Sequence, residues 1–295
     1  MFVFFCDIIY LGGDFMKYTL NSGYKIPVIG FGTWQTPEGV VAKDSVKKAL
    51  ESGYRHIDTA SVYGNEKSVG EGIKESQIPR EEIFLTTKLW NDKHSYEDAK
   101  EAIHTSMELL GVDYLDLYLI HWPNPKHLQK GDAWKKANQE TWRAMEEAVE
   151  AGLIKSIGVS NFMPHHLESL LETAKIKPAV NQIYLSPSDQ QKEVVEFNRK
   201  NNILSQAYSP LGTGTILDNE DLIKIGDKYN KTAAQVALRW SIQKGFNPLP
   251  KSVTPSRIVE NIDIFDFELD ASEMELIDGL EGIGKESKDP DTIDY

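Results

Sequence analysis

Cysteine is almost missing: the 295-residue chain holds one, Cys6. A lone thiol can neither close an intrachain disulfide nor supply a cysteine-based metal site. Such usage fits a reducing, cytoplasmic setting. Long apolar runs are missing too. None approaches the ~20 residues a membrane helix requires. The best, Met1–Leu11, is interrupted by Asp7 and lacks the basic start of a signal peptide. Positive charge is in short supply, with 32 Lys and Arg against 45 Asp and Glu, a net charge of −13. That balance argues against nucleic acid or anionic lipid as a partner, while leaving room for one local basic pocket. Familiar motifs are incomplete. Gln35 stands where Gly30-Phe31-Gly32 would need its third glycine, and Gly212-Thr213-Gly214 fails similarly. No Walker lysine, His-Glu-x-x-His or Gly-x-Ser-x-Gly pattern occurs. His165-His166 opens a helix without a partner ligand, so it is expected to be solvated, and no metal site is expected.

What is present is alternation. From residue 17 to about 280, short β-rich runs alternate with helical ones. Eight strand candidates are Val28–Gly32, Arg55–Asp58, Ile83–Thr87, Leu115–Ile120, Ser156–Val159, Ala179–Gln182, Ile203–Gln206 and Asn247–Leu249. Most are apolar on both faces, as parallel strands covered by helices are. Between them, apolar residues recur at helical spacing: Val46, Ala49, Leu50 and Gly53; Ala99, Ala102, Ile103, Ser106 and Leu110; Trp142, Met145 and Val149. Gly53, Gly111, Gly152 and Gly245, and once Asn201-Asn202, sit where a left-handed residue would close a helix. Eight β-then-α units predict an α/β chain folded as a (β/α)₈ TIM barrel, which needs about 250 residues. A doubly wound sheet uses the same alternation and stays open at this point. Residues 17–27 read as a hairpin turning at Asn21-Ser22-Gly23. Residues 1–15 join no pattern and are expected to be a leader outside the fold. Met16 is then the functional start, and 16–295 one domain.

In a barrel, chemistry gathers at the C-terminal ends of the strands. Those ends here read Gly32-Thr33-Trp34, Asp58 followed by Tyr63, Lys88, His121-Trp122, Ser160-Asn161, Asn181-Gln182, Tyr208-Ser209-Pro210 and Lys251-Ser252. Each residue alone has an ordinary reading. Asp58 could cap a helix, Lys88 could be a solvated loop residue, His121 a hydrogen-bonded core residue and Tyr63 a surface aromatic. Together they describe a proton-donor site with no nucleophile. Lysine and aspartate beside the tyrosine are expected to depress its pKa from about 10.

These residues, in this order, resemble the aldo-keto reductase family, particularly its small bacterial and fungal members similar to 2,5-diketo-gluconate reductases. The resemblance spans about residues 17–280. It rests on Gly30-Phe31-Gly32-Thr33-Trp34, Asp58-Thr59-Ala60, Tyr63-Gly64-Asn65-Glu66, Lys88-Leu89-Trp90 and Ile120-His121-Trp122-Pro123. It continues through Gly158-Val159-Ser160-Asn161-Phe162, Asn181-Gln182, Tyr208-Ser209-Pro210-Leu211-Gly212 and Pro250-Lys251-Ser252, then Arg257-Ile258 and Glu260-Asn261. The ordered set is specific where single motifs are weak.

The resemblance implies reduction of a small aldehyde or ketone with a nicotinamide cofactor and no metal. Tyr63 is similar to the family's general acid, with Lys88 and Asp58 tuning it and His121 orienting the carbonyl. Ser160, Asn161 and Gln182 would hold the nicotinamide carboxamide and Tyr208 would stack on its ring. Gly32, Thr33, Trp34, Asp58, Ser209, Pro210 and Leu211 would complete the cofactor groove. Trp34, Tyr63, Trp90, His121 and Trp122 would line the substrate pocket. Lys251, Ser252, Val253, Thr254 and Arg257 place two cations and two hydroxyls at a helix start, an anion site suited to a 2′-phosphate. NADPH is therefore expected in preference to NADH, with Glu260 and Asn261 meeting the adenine. Tyr184 stands where relatives often carry glutamate, and Ser186 where they carry histidine or asparagine. The loop Leu211–Ile216 is short, which implies an abbreviated clamp over the cofactor. A monomer is expected. A cofactor-binding sensor with little turnover is the alternative, disfavoured because all four tetrad positions are filled; a carboxylate-based barrel hydrolase or isomerase is a remote third.

Overall fold

The computed structural model describes residues 16–295; the expected leader at 1–15 lies outside the described residues. An antiparallel hairpin of β1 (Lys17–Thr19) and β2 (Lys25–Pro27) comes first. The strands β3 (Phe31–Gly32), β4 (His56–Asp58), β5 (Phe84–Leu89), β6 (Leu115–Ile120), β7 (Ile154–Ser160), β8 (Val180–Tyr184), β9 (Leu204–Tyr208) and β10 (Asn247–Leu249) then pair in parallel, each with its successor. Gly30 and Gly32 N–H donate to the carbonyls of Pro248 and Pro250, both at 3.0 Å, and so join the first strand to the last. The sheet closes on itself, as the (β/α)₈ expectation required; the doubly wound alternative is excluded.

Outside lie α1 (Val40–Glu51), α2 (Glu66–Glu75), α3 (Tyr96–Leu110), α4 (Ala133–Glu150), α5 (Pro164–Leu171), α6 (Lys192–Lys200), α7 (Glu220–Tyr229), α8 (Ala233–Gln243), α9 (Pro255–Ile262) and α10 (Ala271–Asp278). Their limits follow local chemistry. Ser95 accepts the Asp98 N–H ahead of α3, and Gly111 ends that helix at φ 65°. Thr232 and Gln235 form a reciprocal capping box at α8. Asn202, at φ 57°, closes α6; Asn201, also expected there, keeps an ordinary negative φ. The buried faces of the helices carry the expected residues, including Val46, Ala49, Leu50, Ile103, Leu110, Trp142 and Met145.

The first strand is shorter than the expected Val28–Gly32. Val28 N–H bonds to Met16 O at 3.0 Å, so this stretch still belongs to the hairpin side. The hairpin itself docks across the N-terminal end of the barrel. Tyr18 Oη donates to the carbonyls of Ile242 and Phe246, and Asn21 Nδ2 to those of Pro178 and Asn202. Among the described residues no helix is long and apolar enough to cross a membrane.

Candidate active site

Four polar groups meet at the mouth. Asp58 is the last residue of β4, Lys88 lies in β5, His121 follows β6, and Tyr63 sits on a 3-10 turn, Ser61–Tyr63. Lys88 Nζ donates to Asp58 Oδ1 at 2.6 Å, to Thr59 O at 2.9 Å and to Tyr63 Oη at 3.4 Å. Asp58 Oδ2 accepts from Gln182 Nε2 at 2.8 Å. The charged pair is the form these bonds fit: all three ammonium protons have acceptors, and both carboxylate oxygens have donors. None of the ordinary readings applies to this group. Lys88 is fully buried and Asp58 nearly so.

The Tyr63 loop is fixed from below by Asn65, which is itself fully buried. Asn65 Nδ2 reaches Thr33 O and Thr36 O, both at 3.0 Å, while its Oδ1 accepts from Thr59 Oγ1 at 2.9 Å. Gly64 takes the left-handed φ of 66° that lets the chain turn between the two residues.

One electrostatic expectation is corrected. Tyr63 is not depressed: burial, and then the Asp58 charge, push its phenol well above the usual value. The ammonium that was to lower it is drawn toward Asp58 and Thr59. Burial likewise favours the neutral forms of Asp58 and Lys88, each opposed by the charge of the other. Burial, and then the Lys88 charge, hold His121 neutral, well below the ordinary histidine range. Tyr63 thus keeps its proton near neutral pH, next to an uncharged imidazole. Their rings meet edge to face at 5.9 Å.

An aromatic wall rises above them. Trp90 meets His121 edge to face at 5.2 Å. Tyr295, which the sequence reading passed over, stacks on Trp90 at 6.0 Å and packs edge-on to Trp122 at 5.4 Å. Trp34 stands half exposed, with none of these ring contacts.

The residues expected on the cofactor side form a second group. Ser160 Oγ donates to Gln182 O at 2.8 Å. Asn161, at φ 61°, donates through Nδ2 to His121 O at 3.0 Å, and its Oδ1 accepts from Tyr208 Oη at 2.9 Å. Ser209, at φ 49°, Pro210 and Leu211 lead out of β9 beside Tyr208. Further round, Lys251 Nζ reaches Gln35 O at 3.2 Å, and Ser252 Oγ accepts the Thr254 N–H at 3.1 Å just before α9. Val253, Thr254 and Arg257 are exposed there. Among the described residues neither Lys251 nor Arg257 has a carboxylate partner. Glu260 accepts from Thr232 Oγ1 at 2.9 Å, a contact the sequence did not suggest, and Asn261 is buried.

The expectation for His165-His166 holds for His165, which is exposed, and is corrected for His166. His166 is fully buried, and both rings place Nε2 at 3.0 Å from an oxygen of Asp291, in the C-terminal tail. The two imidazoles and the carboxylate bring ligand atoms within 4.8 Å of one another. The tautomer argues against a metal: His166 Nδ1 accepts the Met163 N–H at 3.1 Å, so the neutral ring carries its proton on Nε2, facing Asp291. Asn124 Nδ2 joins the same carboxylate at 2.8 Å. The cluster anchors the tail whose last residue packs against Trp90. Nothing local in sequence marks this, because 125 residues separate His166 from Asp291.

The closed (β/α)₈ barrel thus carries a tyrosine, lysine, aspartate and histidine cluster in its mouth, with an unpaired basic rim beside it. The model of the Aldo/keto reductase family matches residues 28–281. The chain belongs to that family. Glyoxal reductase of Bacillus subtilis (strain 168) is 46% identical over 274 residues, which is 93% of this chain and 96% of that protein. The crystal structure of MGS-M4, an aldo-keto reductase from a Medee basin deep-sea metagenome library, superposes with a TM-score of 0.88 at 47% identity. It covers 94% of this chain and 100% of its own. Bombyx mori aldo-keto reductase AKR2E4, solved in complex with NADP, superposes with a TM-score of 0.83 at 36% identity, covering 92% and 94%.

Proposed function

We propose that this chain reduces aldehydes or ketones to alcohols, with hydride from NADPH and a proton from Tyr63. One observation carries the reading: a buried ammonium, held by Asp58 and Thr59, directs its remaining proton at the Tyr63 hydroxyl. A phenol so placed can give up its proton as negative charge grows on a carbonyl oxygen. Lys88 then stabilises the phenolate left behind, and Asp58 keeps Lys88 charged. Neutral His121 keeps a ring N–H to share the developing charge and orient the carbonyl. The cofactor, when bound, supplies the hydride that reaches the carbonyl carbon.

The residues present fit that cofactor. Gln182 Oε1 accepts no hydrogen bond among the described residues, which suits it to an amide N–H of the carboxamide. Ser160, Asn161 and Tyr208 stand beside it. Lys251 and Arg257 offer uncompensated positive charge for a 2′-phosphate, which favours NADPH over NADH. Trp34, Trp90, Trp122 and Tyr295 supply apolar surface for the substrate. We read residues 16–295 as one catalytic domain.

The test is a panel of small aldehydes and ketones followed at the nicotinamide absorbance, with NADPH and NADH in parallel. Turnover with NADPH, and a loss of at least ~10²-fold in Tyr63→Phe with cofactor binding intact, is expected. Full activity in that variant would refute the assigned acid, and a preference for NADH would refute the phosphate site.

A further inference from the structure

The interior of a (β/α)₈ barrel is ordinarily filled by branched apolar side chains. Here one layer is built from amides. Gln182, Gln206 and Asn247 stand in register on β8, β9 and β10, and all three are buried. Gln182 Nε2 donates to Gln206 Oε1 at 2.5 Å, Gln206 Nε2 to Asn247 Oδ1 at 2.6 Å, and Asn247 Nδ2 to the Pro27 carbonyl at 2.8 Å. At the other end Gln182 Nε2 also donates to Asp58 Oδ2 at 2.8 Å.

Both ends of this chain are obligate acceptors, a backbone carbonyl in the hairpin and a carboxylate in the site. Each amide orientation is therefore forced. Turning Gln206 over would set NH₂ against NH₂ on one side and oxygen against oxygen on the other. With both of its protons spent, Gln182 has only Oε1 left to offer. Bonds in such a chain also polarise one another, which strengthens the donation to Asp58.

We infer that Gln206 is a positioning residue: through Gln182 it presents one carbonyl oxygen to the nicotinamide carboxamide and holds the Asp58 carboxylate in place. The inference rests on the proposed function, because it takes Gln182 as the carboxamide partner.

The test is binding without turnover, by quenching of tryptophan fluorescence with NADP⁺, and in parallel with adenosine 2′,5′-bisphosphate, which lacks the nicotinamide. In Gln206→Met one proton of Gln182 loses its acceptor, and only the bond to Asp58 still holds the amide. NADP⁺ affinity is expected to fall about tenfold, the worth of one buried hydrogen bond, while the bisphosphate binds as to wild type. Gln206→Glu is the conservative arm. Its neutral carboxyl reproduces one donor and one acceptor, so NADP⁺ affinity relative to wild type is near unity at acid pH. As pH rises and that buried carboxyl ionises, the ratio falls to the level of Q206M or lower. A merely structural role would weaken both ligands alike and leave the Q206E ratio flat with pH. Either result overturns the inference, as does wild-type NADP⁺ affinity in Q206M. If Q206M does not fold, the Q206E ratio decides alone. If wild type itself binds no NADP⁺, it is the proposed function that fails.

Discussion

Lys88→Met is the sharpest perturbation of the site. It removes an ammonium that is fully buried, 2.6 Å from an Asp58 carboxylate only 4% exposed. Gln182 remains as a neutral donor to Asp58, but no positive charge replaces the one lost. Breaking a buried pair from one side costs roughly 3–5 kcal/mol, because the surviving charge keeps its desolvation penalty. At about 2 °C per kcal/mol for a chain of this size, the melting temperature should drop by ~6–10 °C. The pH dependence carries the sign. Burial already raises the Asp58 pKa against the lowering effect of Lys88. Without that opposition the folded value climbs further above the unfolded value near ~3.9. Such a group adds stability at low pH that is lost as pH rises through its folded pKa. The deficit of the variant against wild type should therefore widen from about pH 5 to about pH 8. Melting followed by circular dichroism across that range measures it. In Asp58→Asn/Lys88→Met the uncompensated charge is gone, so the deficit should be smaller and flat with pH. A K88M deficit that does not change with pH, or that equals the double variant's, would refute the ion-pair account.

Other outcomes follow from the same geometry. Ultraviolet difference titration of cofactor-free wild type against Y63F should reveal no Tyr63 phenolate below about pH 10, since burial and the Asp58 charge raise that group; ionisation near neutrality would contradict this. Arg257→Ala should raise the KM for NADPH about tenfold and leave that for NADH unchanged, because one charge-assisted contact to a 2′-phosphate is lost; equal effects on both would remove Arg257 from the phosphate site. Asp291→Ala deletes the acceptor shared by His165, His166 and Asn124. Release of the tail should speed its proteolysis and shift KM among substrates of different size, with cofactor affinity unchanged, and a tail as protected as in wild type would show that Tyr295 is held by its ring contacts alone.

Much of this site was open to reading along the chain because barrel geometry is periodic. Each strand delivers its terminal residue to the same face, so the ends of the apolar runs named Asp58, Lys88, His121, Ser160, Gln182 and Tyr208 without any knowledge of contacts. Several helix closures were as local, since glycine or asparagine marks the left-handed residue, although α2 closes at Gln77, at φ 59°. Failures came where an outcome depends on distant partners or on burial. His166 reads as solvated along the chain because its partner lies three strands and five helices further on. Tyr295 falls in a polar tail with no period to read, and only its stacking on Trp90 gives it a place.

The amino-acid order by itself determined the alternation of eight strands with helices and the identities at the strand ends, because strand and helix periods, caps and strand ends are written within a few residues of each other. Closure into a barrel was decided only where Gly30 and Gly32 meet Pro248 and Pro250. Tertiary structure decided everything that depends on a direction in space. It set which way the Gln182 amide faces, through a chain of bonds ending at Pro27 in the hairpin. It brought the tail across the mouth through Asp291. It also reversed the expected shift of Tyr63, since the pKa of a buried phenol follows the water excluded around it and the distance to Asp58, and neither quantity exists until the barrel closes.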